Sequence, residues 1–206
     1  MGTTAIGRVG AVAVMLGVGA ALAATPWAAG VAAASPNELH ANARSDNPRQ
    51  PDQNRAISTN GVVHVQKGTA QAFSSGQGST AIADGFNARA SANGDGNHAQ
   101  ADGLSAVAVA GGVSTESSTG VNNRVFVKGD NSSGTAVGGN GNKVDVNGDG
   151  NSIFVQGGSN DVTVKGDNNN PFNVLGDANT VKICGNGNQQ TITGNGQKTT
   201  IGKCGR

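Results

Sequence analysis

The chain has 206 residues, of which 34 are Gly and 24 are Asn, against 5 Phe, 1 Trp and no Tyr. Hydrophobic residues make up 35% of it, so large side chains cannot fill a thick globular core. Its 14 Lys and Arg against 13 Asp and Glu give a net charge of +1. That overall charge is too small for a protein that binds nucleic acid or an anionic membrane through its net charge.

Residues 1–34 have the pattern of a secretory signal peptide. Arg8 precedes an apolar run from Val9 to Ala24, and small residues then form an A-x-A pattern before Ser35. The run is shorter than the roughly 20 residues that a membrane-spanning helix needs. We therefore expect cleavage near Ser35, a mature chain with no membrane span, and a location that is secreted or at the cell surface.

Residues 35–60 are predicted to form a disordered linker. They contain Pro36, Pro48 and Pro51 among alternating charges, and no apolar period of 2 or 3.6 is present.

Residues 61–120 form an Ala- and Gly-rich repeat. Gly78, Gly85, Gly96 and Gly103 each begin a G-x-x-A-x-A unit, and their spacings combine to a period of 18. The predicted inward pairs are Ala81/Ala83, Ala88/Ala90, Ala99/Ala101 and Ala106/Ala108, and 18 residues before the first of them stand Val63 and Val65. We expect a local adjustment of the repeat between Gly111 and Gly120.

Residues 121–206 repeat in nine-residue units with the consensus N-x-V-x-V-x-G-[DN]-G, and one extra residue precedes the unit that resumes at Asn170. The two apolar residues of each unit point to one side of a short strand, because side chains alternate with a period of two. The predicted inward pairs are Val125/Val127, Val144/Val146, Ile153/Val155, Val162/Val164, Phe172/Val174 and Val181/Ile183. Gln190/Ile192 and Thr199/Ile201 end the series with a more polar terminal coil.

These units predict an all-β fold, a parallel β-solenoid in which alternate units form two facing sheets with about 18 residues per coil. An antiparallel meander is the alternative, but it would leave its apolar face uncovered. In the solenoid, the Asn that heads each unit stacks on its counterpart in the next coil. We therefore expect a ladder of amide hydrogen bonds.

Cys184 and Cys204 are predicted to lie on neighbouring coils of the same sheet. Two cysteines in an exported chain favour a disulfide, which would pin the last coil. The alternative is two free thiols.

No motif in the sequence supports a catalytic, cofactor-binding or metal-binding site, so no residue is predicted for any of these roles. Asp145 to Gly150 matches the first half of an EF-hand loop, but Gln156 stands where the bidentate Glu belongs. Weak Ca²⁺ binding by stacked turn residues Asp130, Asp149, Asp167 and Asp177 remains an alternative. His40, His64 and His98 have no partner at metal-ligand spacing, and His64 is expected to face solvent between Val63 and Val65.

Two stretches resemble known families. GSTAIADGFNARA and ADGLSAVAVAGG are similar to the head repeats of trimeric autotransporter adhesins, which are β-rolls on bacterial surfaces. Asn123 to Arg206, with GDNN, GDGN and GNGN before V-x-V, resembles uncharacterised repeat domains of secreted actinobacterial proteins, mycobacterial ones included. Both resemblances imply an extracellular location and no particular activity.

The sequence therefore predicts a secreted or cell-envelope, non-enzymatic structural or adhesive β-solenoid module. Its partner is an unknown envelope or host-surface component and not nucleic acid, and it can form oligomers. A filament-forming protein of the curli type is the alternative, because exposed coil ends and amide ladders can template strand addition. A second alternative is a β-roll that binds Ca²⁺ weakly.

Overall fold

The computed structural model describes residues 53–112 and 120–203, in which the regular elements are sixteen β-strands in two sheets. Sheet A contains, in spatial order, β16 (Lys198–Ile201), β14 (Thr180–Cys184), β12 (Asp161–Lys165), β10 (Lys143–Asn147), β8 (Arg124–Lys128), β6 (His98–Asp102), β4 (Thr80–Asp84), β1 (Arg55–Thr59) and β2 (Val62–Lys67). Sheet B contains β15 (Gln190–Thr193), β13 (Phe172–Leu175), β11 (Ser152–Gln156), β9 (Ser133–Val137), β7 (Val107–Ala110), β5 (Arg89–Asn93) and β3 (Gln71–Ser75).

The predicted parallel β-solenoid is confirmed. From β3 onward successive strands alternate between the two sheets, and each pairs in parallel with the strand one coil away, giving about seven coils. Val144 pairs with Val162, 18 residues on, whereas Val125 pairs with Val144, 19 residues on. The coil thus has the predicted length or one residue more.

One coil is longer than the others, in the interval where the adjustment was predicted. Ala99 of β6 pairs with Val125 of β8, and Ala108 of β7 pairs with Gly134 of β9, each 26 residues on. This coil includes residues 113–119, which lie outside the described residues. Because β6 and β7 still pair in register with β8 and β9, the Ala-rich and Val-rich repeats form one continuous stack.

The core lies between the two sheets and is made of the predicted inward pairs. All six Val, Ile and Phe pairs predicted for the nonapeptide units are buried, with no member more than 2% exposed. The four predicted Ala pairs are buried as well, with no member more than 4% exposed. A fully buried Val, Ile or Phe contributes roughly 1.5 to 3 kcal/mol. Since Ala buries much less area, the later coils contain most of the apolar stabilisation.

The Ala repeat of sheet B is shifted by two residues from its predicted placement. Strands β5 and β7 turn Ala90/Ala92 and Ala108/Ala110 inward, while Ala88 and Ala106 lie in the turns before these strands. Ala is small enough for both positions, so the A-x-A spacing alone does not distinguish them. The reliable signal is Gly76, Gly85, Gly94 and Gly103, each just after a strand and nine residues from the next.

The first strands differ from the predicted repeat. Strand β1 begins at Arg55, inside the predicted linker 35–60, and pairs antiparallel with both β4 and β2. It turns Ala56 and Ser58 inward, aligned with Ala83 and Ala81. These two residues occupy the positions predicted for Val65 and Val63. Strand β2 is therefore an edge strand, in which Val62 and Val63 are 57% and 53% exposed.

Candidate functional site

Buried asparagines form two amide ladders at the corners before the strands, as the sequence predicts. Before the strands of sheet A, Asn160 donates from Nδ2 to Oδ1 of Asn142 at 3.0 Å, and its own Oδ1 accepts the backbone N–H of Asn179 at 2.9 Å. Before the strands of sheet B, Asn169 donates from Nδ2 to Oδ1 of Asn151 at 2.9 Å. The second amide hydrogen of Asn160 binds the carbonyl of Gly176 at 2.8 Å. Asn179 is an exception, since its Nδ2 is buried without a partner in the described structure. The other side chains of the ladders satisfy one another and the backbone, and so hold the coils together.

The turn aspartates have the same structural role at the two outer edges. The backbone N–H groups of Leu104, Asp130 and Asp149 donate to Oδ1 of Asp130, Asp149 and Asp167 at 2.7–2.9 Å, one coil apart in each case. Asp177 does not belong to this stack of turn aspartates, because it follows a strand of sheet B. At that other edge it accepts the N–H of Gly158 at 2.7 Å. The structure thus separates one of the four residues that the sequence predicts to be stacked.

No chelating cluster is found in residues 53–112 and 120–203. No group of three or more His, Cys, Asp or Glu side chains there is placed to hold a metal ion. Asp145 and Asn147, in the EF-hand-like segment, lie on β10, and Asp149 lies in the turn after it. A strand sends alternate side chains to the outer face, so these ligands do not converge on one point.

The histidines are separate from one another. His98 lies on the outer face of sheet A, where its ring packs against Phe126 with 5.1 Å between centroids. Burial, and secondarily the charge of Arg124, lower the pKa of His98 below its ordinary value. His64 is exposed on β2, although its neighbour Val63 is exposed too and not inward as predicted. His40 lies outside the described residues.

The predicted disulfide remains a prediction. Cys184 is the last residue of β14 and is largely buried, whereas Cys204 lies outside the described residues. Strand β16 pairs with β14, with Ile201 opposite Ile183. The chain therefore runs beside Cys184 shortly before it reaches Cys204.

Charge is sorted between the two outer faces, which the sequence reasoning missed. We call the outer surface of β8, β10, β12, β14 and β16 the basic face. It presents six exposed cations and two acids, namely Arg124, Lys128, Lys143, Lys165, Lys182 and Lys198 with Asp145 and Asp161. The outward positions of β7, β9, β11, β13 and β15 are uncharged. The signal was present as Lys and Arg in every second unit of the nonapeptide series.

The fold places this chain in the class of parallel β-solenoids. Comparison with known proteins did not identify a relative. The chain matches no family model, no curated protein and no solved structure. Within residues 53–112 and 120–203, no helix has the length and hydrophobicity needed to cross a bilayer.

Proposed function

We propose that this protein is a secreted or cell-envelope module that acts as a structural or adhesive surface and not as an enzyme. The observation that carries the proposal is that the buried and turn polar side chains hydrogen-bond within the stack of coils. The buried amides bind one another and the backbone, and the carboxylates of Asp130, Asp149, Asp167 and Asp177 each accept a backbone N–H from a neighbouring coil. Side chains used in this way stabilise a scaffold, and its outer faces are left to meet a partner.

The N-terminal sequence supports the extracellular part of the proposal. A basic residue, a short apolar run and an A-x-A pattern before Ser35 are what an export signal requires. A stack of coils held by backbone and amide hydrogen bonds also suits a surface protein, because each coil is stabilised by its neighbours.

The test is to express the full chain with its own N-terminus in a bacterium and to fractionate the culture. We expect the protein in the medium or on the envelope, with a mass that begins near Ser35 and therefore lacks Trp27. Recovery of an uncut chain from the cytoplasm would reject the extracellular role. Retention of purified protein on intact cells tests the adhesive part separately.

A filament-forming role is the second candidate, and the edge strand β2 favours it. Val62 and Val63 are the large hydrophobic residues that the described chain exposes, and both lie on this edge. An exposed apolar edge strand can pair with a strand of another copy. Such pairing would extend sheet A from one molecule to the next.

A further inference from the structure

The basic face has more positive charge than its own acids can neutralise. On it, Lys143 Nζ and Asp161 Oδ1 are 4.0 Å apart, the one pair of its described residues within ion-pair distance. Lys165 and Lys182 are exposed, and the residues opposite them on the neighbouring strands are uncharged. Lys128 is exposed too, with Asn147 opposite it on one side and Asp102 of β6 on the other. The near-zero net charge of the whole chain hides this segregation, because five of the nine acids in the described residues lie in turns, namely Asp95, Asp130, Asp149, Asp167 and Asp177.

The spacing of these cations is set by the fold. Lys128 and Lys165 occupy the same row two coils apart, which places their Cα atoms about 10 Å apart along the stack. The basic face spans five hydrogen-bonded strands, or about 19 Å. A surface whose cations are held at fixed separations suits an extended chain that carries acidic groups along its length.

The residues between the cations favour a sugar polymer. Thr163, Thr180, Thr200 and Asn147 face outward among them, and their hydroxyl and amide groups can both donate to and accept from sugar hydroxyls. Phe126 is the aromatic residue of this face and packs against His98. The face therefore has no row of aromatic rings on which nucleic-acid bases could stack, and apart from Phe126 it has no large apolar side chain to insert into a bilayer.

We propose that the basic face binds an acidic polysaccharide through its carboxylate or sulfate groups. The inference rests on the proposed adhesive function and names the partner class for it. Lys165 and Lys182 lie on adjacent strands in the middle of the face and provide the central charge contacts, while the Thr and Asn side chains contact the sugar hydroxyls.

The test measures binding of the full chain to immobilised heparin and to polygalacturonate, with neutral dextran as the blank. The double variant Lys165→Gln/Lys182→Gln should bind roughly tenfold more weakly or worse, with a flatter dependence of affinity on salt. The matched control is Lys67→Gln/Arg89→Gln, which removes the same charge from the far end of sheet A and from sheet B. The control should bind as the unaltered chain does, and all three proteins should have the same circular dichroism and thermal midpoint.

Two results would overturn the inference. Equal weakening in the two double variants would mean that net charge and not the basic face governs binding. Tighter binding to single-stranded DNA or to vesicles with phosphatidylserine than to either polysaccharide would assign the face to another partner. In both cases export and retention on intact cells would be unaffected, so failure of this inference is distinguishable from failure of the proposed function.

Discussion

The amide of Asn160 shows how a single residue type specifies the stacking of coils. Its side chain is buried, accepts one backbone N–H and donates to an amide oxygen and to a glycine carbonyl. A buried polar group that loses its partner costs about 1–3 kcal/mol, so each rung both stabilises the stack and fixes its register. A slip of one residue would place another side chain in this position and leave these groups unpaired.

Asn160→Ala should therefore destabilise the protein by about 2–4 kcal/mol, because it leaves the N–H of Asn179 and the carbonyl of Gly176 without their partners. The matched control is Asn173→Ala on the outer face of β13, which should change stability by less than about 0.5 kcal/mol. Urea unfolding followed by circular dichroism measures both. Similar midpoints for the two variants would show that the ladder does not stabilise the stack.

The glycines that follow most strands have two roles, since they adopt a positive φ and they leave room for the next coil. Gly166 and Gly185 occupy equivalent positions with φ of +131° and +110°. A Cβ on Gly166 would collide with the carbonyl of Gly185, whereas a Cβ on Gly185 would meet nothing within 4 Å in the described structure.

Substituting Ala at these two positions separates backbone strain from collision. Gly185→Ala should cost about 1–2 kcal/mol for the unfavourable φ alone. Gly166→Ala should cost at least about 2 kcal/mol more, because the turn of the next coil must move. Thermal unfolding of both variants provides the comparison. Equal losses would mean that the coils do not approach as closely as the structure places them.

At the scale of the element, strand β12 shows why a pattern of period two was sufficient to predict the core. Val162 and Val164 are fully buried, while Asp161, Thr163 and Lys165 alternate with them on the outer face. The same alternation occurs in β8, β10 and β14. Parallel pairing in register then aligns the buried positions of each sheet into continuous rows.

Val164→Asp should destabilise the protein by several kcal/mol, because it buries a charge with no partner. Thr163→Asp, at the adjacent outward position, should change stability little. The new carboxylate would lie between Asp145 and Lys182 on the two adjacent strands, so repulsion from one is offset by attraction to the other. Chemical unfolding at neutral pH distinguishes the two. Equal effects would contradict the inward and outward assignment.

The last coil is the element that is least stabilised by burial. Thr199 of β16 is only partly buried, Ile201 packs on the edge of the core, and Gln190 of β15 is exposed. A cross-link between Cys184 and Cys204 would limit fraying of these two strands.

We expect non-reducing peptide mapping to recover Cys184 and Cys204 as one linked pair. Reduction should accelerate hydrogen exchange mainly in β15 and β16, and exchange in β10 to β13 should change little, because those strands are covered on both sides. Free thiols in freshly isolated protein would reject the bridge. Uniform acceleration along the chain would show instead that the bridge supports the whole stack.

At the scale of the whole molecule, the two ends of the stack decide whether it stays a single unit. The antiparallel β1 and β2 terminate sheet A at one end and interrupt the parallel pattern that another coil would need. At the other end the polar coil of Gln190 and Thr199 covers the apolar strands β13 and β14. Polar terminal coils of this kind oppose end-to-end addition of strands.

The full chain should therefore remain soluble at high micromolar concentration without thioflavin T fluorescence. Deletion of residues 197–206 removes β16 and exposes the edge of β14 with Val181 and Ile183, so this variant should form thioflavin-positive fibres. Electron microscopy and a sedimentation assay measure both outcomes. Fibres from the intact chain would place the filament-forming function first.

The sequence by itself determined the strand period, the two facing sheets, the inward pairs of the Val-rich units and the amide ladders. This was possible because the coils stack in register. The repeat length therefore specifies which residues align between coils, and the alternation of side chains specifies which of them face the core. Residues such as Val144 and Asn142 are determined in this way by their own nine-residue unit.

Only the tertiary structure decided the features that depend on pairing between distant segments. The polar sequence of β1 does not predict a strand, and it forms one because β2 and β4 provide hydrogen bonds on both sides. The corner position of Ala88 is fixed by the stack, since Ala fits inside and at the corner alike. The basic face exists because alternate units share a sheet, which gathers Lys128, Lys165 and Lys182 on one surface although the chain as a whole is almost neutral.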